Sequence, residues 1–402
     1  MRIALVTYSL MVGGIETMIF SLAKQFIKNG YDVTVIETQR KGLWVEYFHK
    51  NNINVISIVP HKLFSKLRHA IRLSGLLKQF DIIIFNDAPF AQSIIGMLDK
   101  KTLVFPVLHS SPDSMIKNAV SNKGQWNKIV YVSPFLSSKL LDNYNLKDSD
   151  IMNIPNGVCI PDGSGIPKDF SKKVYKFIYI GRLEHSEKAI LFIPDIVQKV
   201  LLHINIGEVN IYGEGSSEEA LRKRIAELSL DGLIKLHGIV EHSNVYSLLK
   251  EHDFLLLPSF IEGHPITLLE AMANRTIPFV SDLPGRTDFV VEHGVNGFLC
   301  KPADIEDFSA KIIEALGRPD LEQIADRARS TIIKKFSAEA MGRRYIELIE
   351  KENKDQKVIN RSNKILIDLL GDLPFIPIIL VRPVRKMLRL LHLWKEKDTG
   401  YC

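Results

Sequence analysis

Short runs rich in Val, Ile, Leu and aromatic residues alternate along this chain with longer stretches whose apolar positions recur at helical spacing. In the first half, RIALVTYS, YDVTVIET, NVISIV, FDIIIF, TLVFPVLHS and IVYVS predict strands, with helical patterns between several of them. A second series begins at KFIYIG and continues through VNIYGEG, IKLHGIV, DFLLLPS, IPFVSD and GFLCK. Near-continuous apolar runs suit parallel strands buried on both faces, and their alternation with helices predicts a doubly wound α/β class. Between the two series, 159–173 is rich in Gly, Pro, Ser and Asp and reads as an interdomain linker. Two Rossmann-like domains facing each other would hold a ligand in a cleft outside the carboxyl ends of their strands.

The most informative stretch is PSFIEGHPITLLEAMA, 258–273. It sets Glu262 before a predicted helix and Glu270 inside it, eight positions apart. Pro265 suits the first helical position, where a missing N–H costs nothing. The positive end of the helix dipole and its free N–H groups would then face Gly263 and His264, a place for an anion. Glu270 would lie close enough to accept hydrogen bonds from hydroxyls beside that anion, and phosphate with sugar hydroxyls describes a nucleotide sugar. A buried, capped helix flanked by solvated glutamates fits the same residues.

Other segments add candidate chemistry. YIGRLEHSEKAI places Arg182 and Lys188 just after a predicted strand, where both could reach one phosphate. Gly13 and Gly14 follow the first strand, where absent side chains allow close backbone approach. The third glycine of a GxGxxG fingerprint is missing, which weakens a dehydrogenase reading. The Asp-x-Asp match at Asp148 and Asp150 reads as a surface turn or helix cap, so no metal site is expected.

The 258–273 stretch resembles the donor-site motif of retaining GT-B glycosyltransferases of family 4, also called glycosyl transferases group 1. The match includes Glu-x7-Glu, Gly263, Pro265 and the Leu269–Ala273 run, and GGIET, His109, NGV at Asn156, GRL at Gly181 and GVNGFL at Gly294 follow the expected order. The resemblance spans about residues 1–350. It implies a GT-B fold: an acceptor domain over 1–165, a donor nucleotide-sugar domain over 174–335, and a helix at about 336–350 crossing back to the first. It also implies a retaining, metal-independent hexosyltransferase that moves sugar from a nucleotide diphosphate sugar to a glycan or lipid-linked acceptor. Cell-surface polysaccharide or glycolipid assembly is the expected setting.

By the resemblance, Arg182 and Lys188 bind the donor diphosphate, Glu270 holds the ribose, and Glu262 orients the donor sugar with the N–H groups of Gly263 to Ile266. Thr267 and Leu268 complete that first turn. His109 corresponds to a histidine near the transferred sugar, and His264 is expected to matter more for its N–H than its ring. Gly13 and Gly14 belong to a loop over the donor phosphate. Asn156 and Gly157 border the cleft, and Gly213, Gly215, Gly238 and Val240 frame the nucleobase through backbone shape. Arg275 departs from the family pattern, standing where a glycine is usual. No cofactor is expected beyond the donor substrate. A nucleotide-sugar epimerase on a related scaffold, or a non-catalytic nucleotide-sugar-binding partner protein, are the alternatives.

Composition changes this picture little until charge is located. The 402 residues, 46% hydrophobic and 24% charged, are ordinary for a globular chain with two domains. Cys159, Cys300 and Cys402 are odd in number and far apart, against a disulfide framework or zinc site. The apolar start reads as a strand and not a signal peptide, and runs such as 373–381 are too short to span a bilayer, so a cytoplasmic protein is expected. Of the net charge of +6, five units fall in 351–402, where eleven Lys/Arg meet six Asp/Glu. Within that basic tail, 352–402, RPVRKMLRLLHLWK (382–395) is amphipathic, as is 62–78 with Lys66, Arg68 and Arg72 among leucines. Both segments fit an anionic membrane face, giving a peripheral location, and equally a helix packed on its own domain. No nucleic-acid motif accompanies the charge.

Overall fold

Two parallel sheets organise the chain. The computed structural model describes residues 1–402 except 111, 162–167, 173, 356–357, 371–372 and 391–402, so much of the linker segment and the 391–395 end of the basic stretch lie outside the described residues. The chain divides into two compact units, the first formed by Met1–Val132, Leu136–Ile154 and Gly342–Cys402, the second by Ser133–Phe135 and Pro155–Met341. Each is a doubly wound Rossmann-like α/β unit.

The first unit contains β1 (Arg2–Thr7), β2 (Asp32–Glu37), β3 (Asn54–Ser57), β4 (Ile82–Asn86), β5 (Leu103–Leu108), β6 (Ile129–Tyr131) and β7 (Ile151–Asn153), in the order β3-β2-β1-β4-β5-β6-β7. Every pair is parallel, with Ile3 against Val33 on one side and Ile82 on the other. Strands β1, β4 and β5 are buried along almost their whole length because helices cover both faces, which is why their sequences run apolar without alternation. Six of these strands coincide with the apolar runs of the sequence. The three-residue β7 was not anticipated.

The second unit contains β8 (Tyr175–Ile180), β9 (Ile206–Tyr212), β10 (Ile234–Leu236), β11 (Phe254–Leu257), β12 (Ile277–Ser281) and β13 (Phe298–Cys300), in the order β10-β9-β8-β11-β12-β13. This sheet too is parallel throughout. Phe177, Phe254, Phe279 and Phe298 stack across it, with neighbouring ring centroids 4.8–5.5 Å apart. In both sheets the chain winds outward on one side and then returns to the middle. The switch points therefore lie between β1 and β4, and between β8 and β11, where the loops beyond the carboxyl ends part and leave room for ligands.

The linker reading of 159–173 misses a structural lysine. Lys168 is buried in the second unit, donating to the carbonyl of Leu249 at 2.8 Å, to Thr276 Oγ1 at 2.6 Å and to the carbonyl of His252. Burial pushes its pKa down to about 7.

The helix Ala338–Lys354 lies across the boundary of the two units in sequence, and its part beyond Gly342 packs on the first. Tyr345 is buried 6.2 Å from the Phe26 ring, and a Cβ at Gly342 would stand 2.6 Å from Gln25 Cβ. The segment after this helix is a strap on the same unit. Arg361 is buried, its guanidinium donating to the carbonyls of Gln125 at 3.1 Å, Thr102 at 2.8 Å and Asp99. Asn363 N–H donates to the Gly96 carbonyl at 2.9 Å and Leu366 N–H to that of Ser93 at 2.8 Å. A final helix, Ile378–Leu390, follows. Among the described residues, no helix is long and apolar enough to cross a membrane.

Candidate functional site

The switch point of the second sheet gathers the charged residues that the sequence singles out. After β8 the chain turns through Gly181–Leu183 into a four-residue helix, His185–Lys188, which stops at Ala189 in the left-handed region (φ 49°). The turn is held from two sides. Tyr179 Oη donates to the Arg182 carbonyl at 2.7 Å, and Leu183 N–H donates to that of Glu214 at 3.0 Å. Gly213 and Gly215 make this close approach possible, since Cβ atoms there would fall 1.8 Å from the Gly181 oxygen and 2.5 Å from the Leu183 oxygen. Gly213 N–H in turn donates to the Gly238 carbonyl at 2.7 Å, and Gly238 has φ 70°. Val240 is half-buried just before the helix His242–Glu251.

After β11, the N–H groups of Phe260 and Ile261 donate to the Glu187 carbonyl at 2.9 and 3.1 Å, tying the loop of the glutamate motif to the short helix. That tie places Lys188 Nζ 2.8 Å from Glu262 Oε1, with the lysine side chain 16% and the glutamate 8% exposed. Ser259 Oγ donates to the same carboxylate oxygen at 2.7 Å. Arg182 is different: its guanidinium is largely exposed and pairs with Glu187. Arg286, stacked 3.4 Å from the Phe135 ring, is held below the usual arginine range by burial, an effect that the nearby Glu262 charge opposes.

The helix itself begins one residue later than the sequence predicts. It covers Ile266–Ala273, and Pro265, with ψ 115°, is its extended N-cap instead of its first turn. The side chains of Ile266 and Leu268 are core, that of Thr267 is half-buried, and the first-turn N–H groups have no partner within the helix by its geometry. Gly263 and His264 precede the cap. The His264 ring is buried 6.0 Å from Phe289 and 5.5 Å from Phe336, while its carbonyl accepts from Asn156 Nδ2 at 3.3 Å, which fastens the NGV turn to the motif. Glu270 is buried within the helix, its Oε1 3.5 Å from His242 Nε2.

His109, Gly13 and Gly14 belong to the first unit. Gly13 is the N-cap of the helix Gly14–Lys28, in extended conformation. A Cβ there would stand 2.7 Å from Glu16 Oε2, and burial pushes the Glu16 carboxyl up to about 7. His109 follows the end of β5, and its Nε2 lies 3.2 Å from Asn86 Oδ1 at the end of β4. Among the described residues its buried Nδ1 has no hydrogen-bond partner, and burial pushes the ring pKa down to about 3. Asp87 accepts from His109 N–H and from Ser110 Oγ, each at 3.4 Å, and burial raises its carboxyl to about 7.

Sequence reasoning did not single out Asn86, Asp87, Glu16, Ser259, His242 or Arg286. Glu16 lies inside GGIET, Ser259 inside the 258–273 stretch, and Asn86 and Asp87 directly follow an apolar run. Asp148 and Asp150 form a single 3₁₀ turn in which Asp150 accepts from Lys147 N–H at 3.0 Å, a turn cap.

Comparison with known proteins covers both units. The model of Glycosyltransferase Family 4 matches residues 12–160, and that of Glycosyl transferases group 1 matches 167–331. The chain belongs to the group 1 glycosyltransferases. It is 25% identical over 235 residues to a poly(ribitol-phosphate) alpha-N-acetylglucosaminyltransferase of Staphylococcus aureus (strain COL), covering 58% of this chain and 45% of that protein. It is 31% identical over 148 residues to the putative colanic acid biosynthesis glycosyltransferase WcaL of Salmonella typhimurium, covering 35% of this chain and 36% of that one. The chain thus spans less than half the length of each of these two relatives. In fold it is similar to HepE of Anabaena, solved in complex with UDP and glucose, with a TM-score of 0.74 at 17% identity over 87% of this chain and 100% of that one. This group 1 glycosyltransferase therefore has the GT-B fold, with two Rossmann-like parallel-sheet domains.

Proposed function

We propose that this chain is a retaining, metal-independent hexosyltransferase that moves a sugar from a nucleotide diphosphate sugar to a glycan or lipid-linked acceptor. The setting we propose is cell-surface polysaccharide or glycolipid assembly, with the protein cytoplasmic and peripheral on the membrane. The observation that carries the donor assignment is the ion pair of Lys188 with Glu262 at 2.8 Å, formed at the switch point of the donor-side sheet and beside a helix N-terminus. A cation, a carboxylate and the positive end of a helix dipole together suit a sugar bonded to a diphosphate.

In this mechanism the bond between the anomeric carbon and the donor phosphate oxygen breaks, and the acceptor oxygen bonds to that carbon on the same face. The acceptor proton passes to a phosphate oxygen, so the nucleoside diphosphate leaves with it. Lys188 and Arg182 stabilise the charge that grows on the leaving group, as does the N-terminus of the helix Ile266–Ala273, while the N–H groups of Gly263, His264 and Ile266 help orient the donor sugar. Glu262 orients sugar hydroxyls, Glu270 accepts from the ribose, and His109 accepts a hydroxyl of the transferred sugar. Gly213, Gly238 and Val240 border the base, and Gly13 and Gly14 the phosphate. The two relatives' printed roles, transfer of N-acetylglucosamine to poly(ribitol-phosphate) and colanic acid biosynthesis, support a polymer or glycoconjugate acceptor. The test is release of nucleoside diphosphate across a panel of donors, with and without lipid extract. Turnover should collapse in both Glu262→Ala and Glu270→Ala, and unaltered turnover in both would remove the assignment.

A further inference from the structure

We propose that segment 62–78 and the helix Ile378–Leu390 form a single surface that binds an anionic lipid bilayer. The sequence presents them as two separate basic stretches more than three hundred residues apart. In the fold they are stitched together through the backbone of the first unit. Ile378 N–H donates to the Phe64 carbonyl at 3.1 Å, Ile379 N–H to that of Lys62 at 2.9 Å, and Leu67 N–H to that of Pro374 at 2.9 Å. Ser65 and Pro377 form an antiparallel bridge between them. The strap from Arg361 to Leu366 anchors the approach to this junction, so the final helix starts from a fixed point.

What this joined surface leaves in solvent is unusual. The final helix turns Val381 inward, with Ile378, Val384 and Leu388 half-buried on the same face. Its other face exposes Ile379, Leu380 and Met387 together with Arg382 and Lys386. Beside it, Phe375 is 61% and Leu63 62% exposed, and Ile71 is exposed one turn along the helix Lys66–Leu77. Arg68 and Arg72 lie with Ile71 on the exposed face of that helix, Lys62 is exposed just before it, and the Arg68 guanidinium lies 3.9 Å from the Phe64 ring. Neither 62–78 nor 373–390 contains an Asp or Glu.

Apolar tips interspersed with cations, on two segments that themselves carry no acid, match a headgroup layer better than other occupants. The charges are drawn to anionic headgroups while the apolar side chains enter the acyl boundary. A protein interface would be depleted in lysine at its core. Packing on its own domain, the other reading of these segments, accounts for the inner face of the final helix and not for the outer one. The surface would keep the first unit of the proposed transferase at the lipid, and to that extent it rests on that proposal.

Sedimentation of the full chain with phosphatidylcholine vesicles, with and without a phosphatidylglycerol fraction, tests it. Binding should require the anionic lipid and weaken at high salt. The pairs Arg382→Glu with Lys386→Glu, and Arg68→Glu with Arg72→Glu, should each weaken it by roughly tenfold or more. Ile379→Ser with Met387→Ser should also weaken it while leaving its salt dependence. No binding, equal binding to both lipids, or unchanged binding in all three variants overturns the proposal. So does a dimer that the same variants dissolve, because a second copy would then be the occupant. Circular dichroism confirms that each variant folds. Donor hydrolysis in solution is read in parallel, so loss of the transferase reading shows as absent turnover with vesicle binding intact.

Discussion

Lys188 and Glu262, 74 positions apart in sequence, form a largely buried ion pair at 2.8 Å because the Glu187 carbonyl holds the backbone of Phe260 and Ile261. The lysine assigned to the leaving phosphate is thus already oriented, with its charge balanced by the carboxylate assigned to the sugar. Removing one partner leaves the other buried and uncompensated. Lys188→Met should lower donor turnover by roughly 100-fold or more, the scale of one lost transition-state donor. In thermal unfolding, Lys188→Met and Glu262→Gln should each destabilise, and the double variant should be more stable than the sum of the two losses. Strict additivity would mean that the pair is not coupled.

Asn86 sets which nitrogen of His109 carries the proton. Its amide nitrogen faces the carbonyls of Val6 at 3.5 Å and Ile84 at 3.4 Å, so its oxygen is turned to His109 Nε2 at 3.2 Å. The ring therefore donates from Nε2 and keeps Nδ1 as an acceptor, suited to a sugar hydroxyl. With burial pushing the ring pKa down to about 3, it stays neutral at working pH. By NMR, His109 should show the Nε2–H tautomer and no titration between pH 5 and pH 8. Asn86→Asp, which adds a negative charge beside the ring, should bring its titration into view at higher pH. A ring that titrates near its ordinary value in the unaltered protein contradicts this account.

Arg275 occupies a left-handed backbone position, φ 61°, which explains why a glycine is usual there in the resembled family. The turn is kept and the arginine bears the strain, while its guanidinium pairs with Asp326 at 2.8 Å. Arg275→Gly relieves strain of about 1–2 kcal/mol, and loses an ion pair worth up to ~1 kcal/mol. It also adds about 0.5–1 kcal/mol of backbone entropy to the unfolded chain. Its stability should therefore stay within about 1 kcal/mol of the parent by this balance. A β-branched residue has no such relief, so Arg275→Val should unfold at clearly lower temperature than Arg275→Gly. Equal melting temperatures for the two would show that the position tolerates any side chain.

Much of the fold was legible because parallel strands covered on both faces must be continuously apolar, and twelve such runs are strands in the structure. β7, three residues long and half exposed, carries no such signature. The glutamate motif was legible from its spacing beside a proline and a glycine. Its partners were not, since Ser259 is an ordinary loop serine and His242 reaches Glu270 only through the packing of two helices. Lys168 sat in a turn-rich segment, where nothing local announces that its ammonium will be buried among three oxygens. The docking of the 373–381 segment on 62–67 depends on backbone pairing, which leaves no mark on side-chain pattern.

Asp87 supplies a test in which pH alone is the variable. Burial raises its carboxyl from 3.8 to about 7, although it accepts hydrogen bonds from His109 N–H and Ser110 Oγ. Between those two values the folded chain holds a proton that the unfolded chain has released. Stability from this group is therefore complete below about pH 4, falls as pH rises towards 7, and is absent above. Asparagine has no proton to lose, and it tolerates the left-handed backbone at this position, φ 41°. Three pKa units correspond to about 4 kcal/mol at most, and solvent access to Asp87 screens part of that. Asp87→Asn should consequently be more stable than the parent by about 1–2 kcal/mol near pH 8 and nearly equal to it near pH 4. Chemical denaturation at the two pH values measures the difference, and a variant that gains more at the acidic value would reverse the sign and exclude a protonated Asp87.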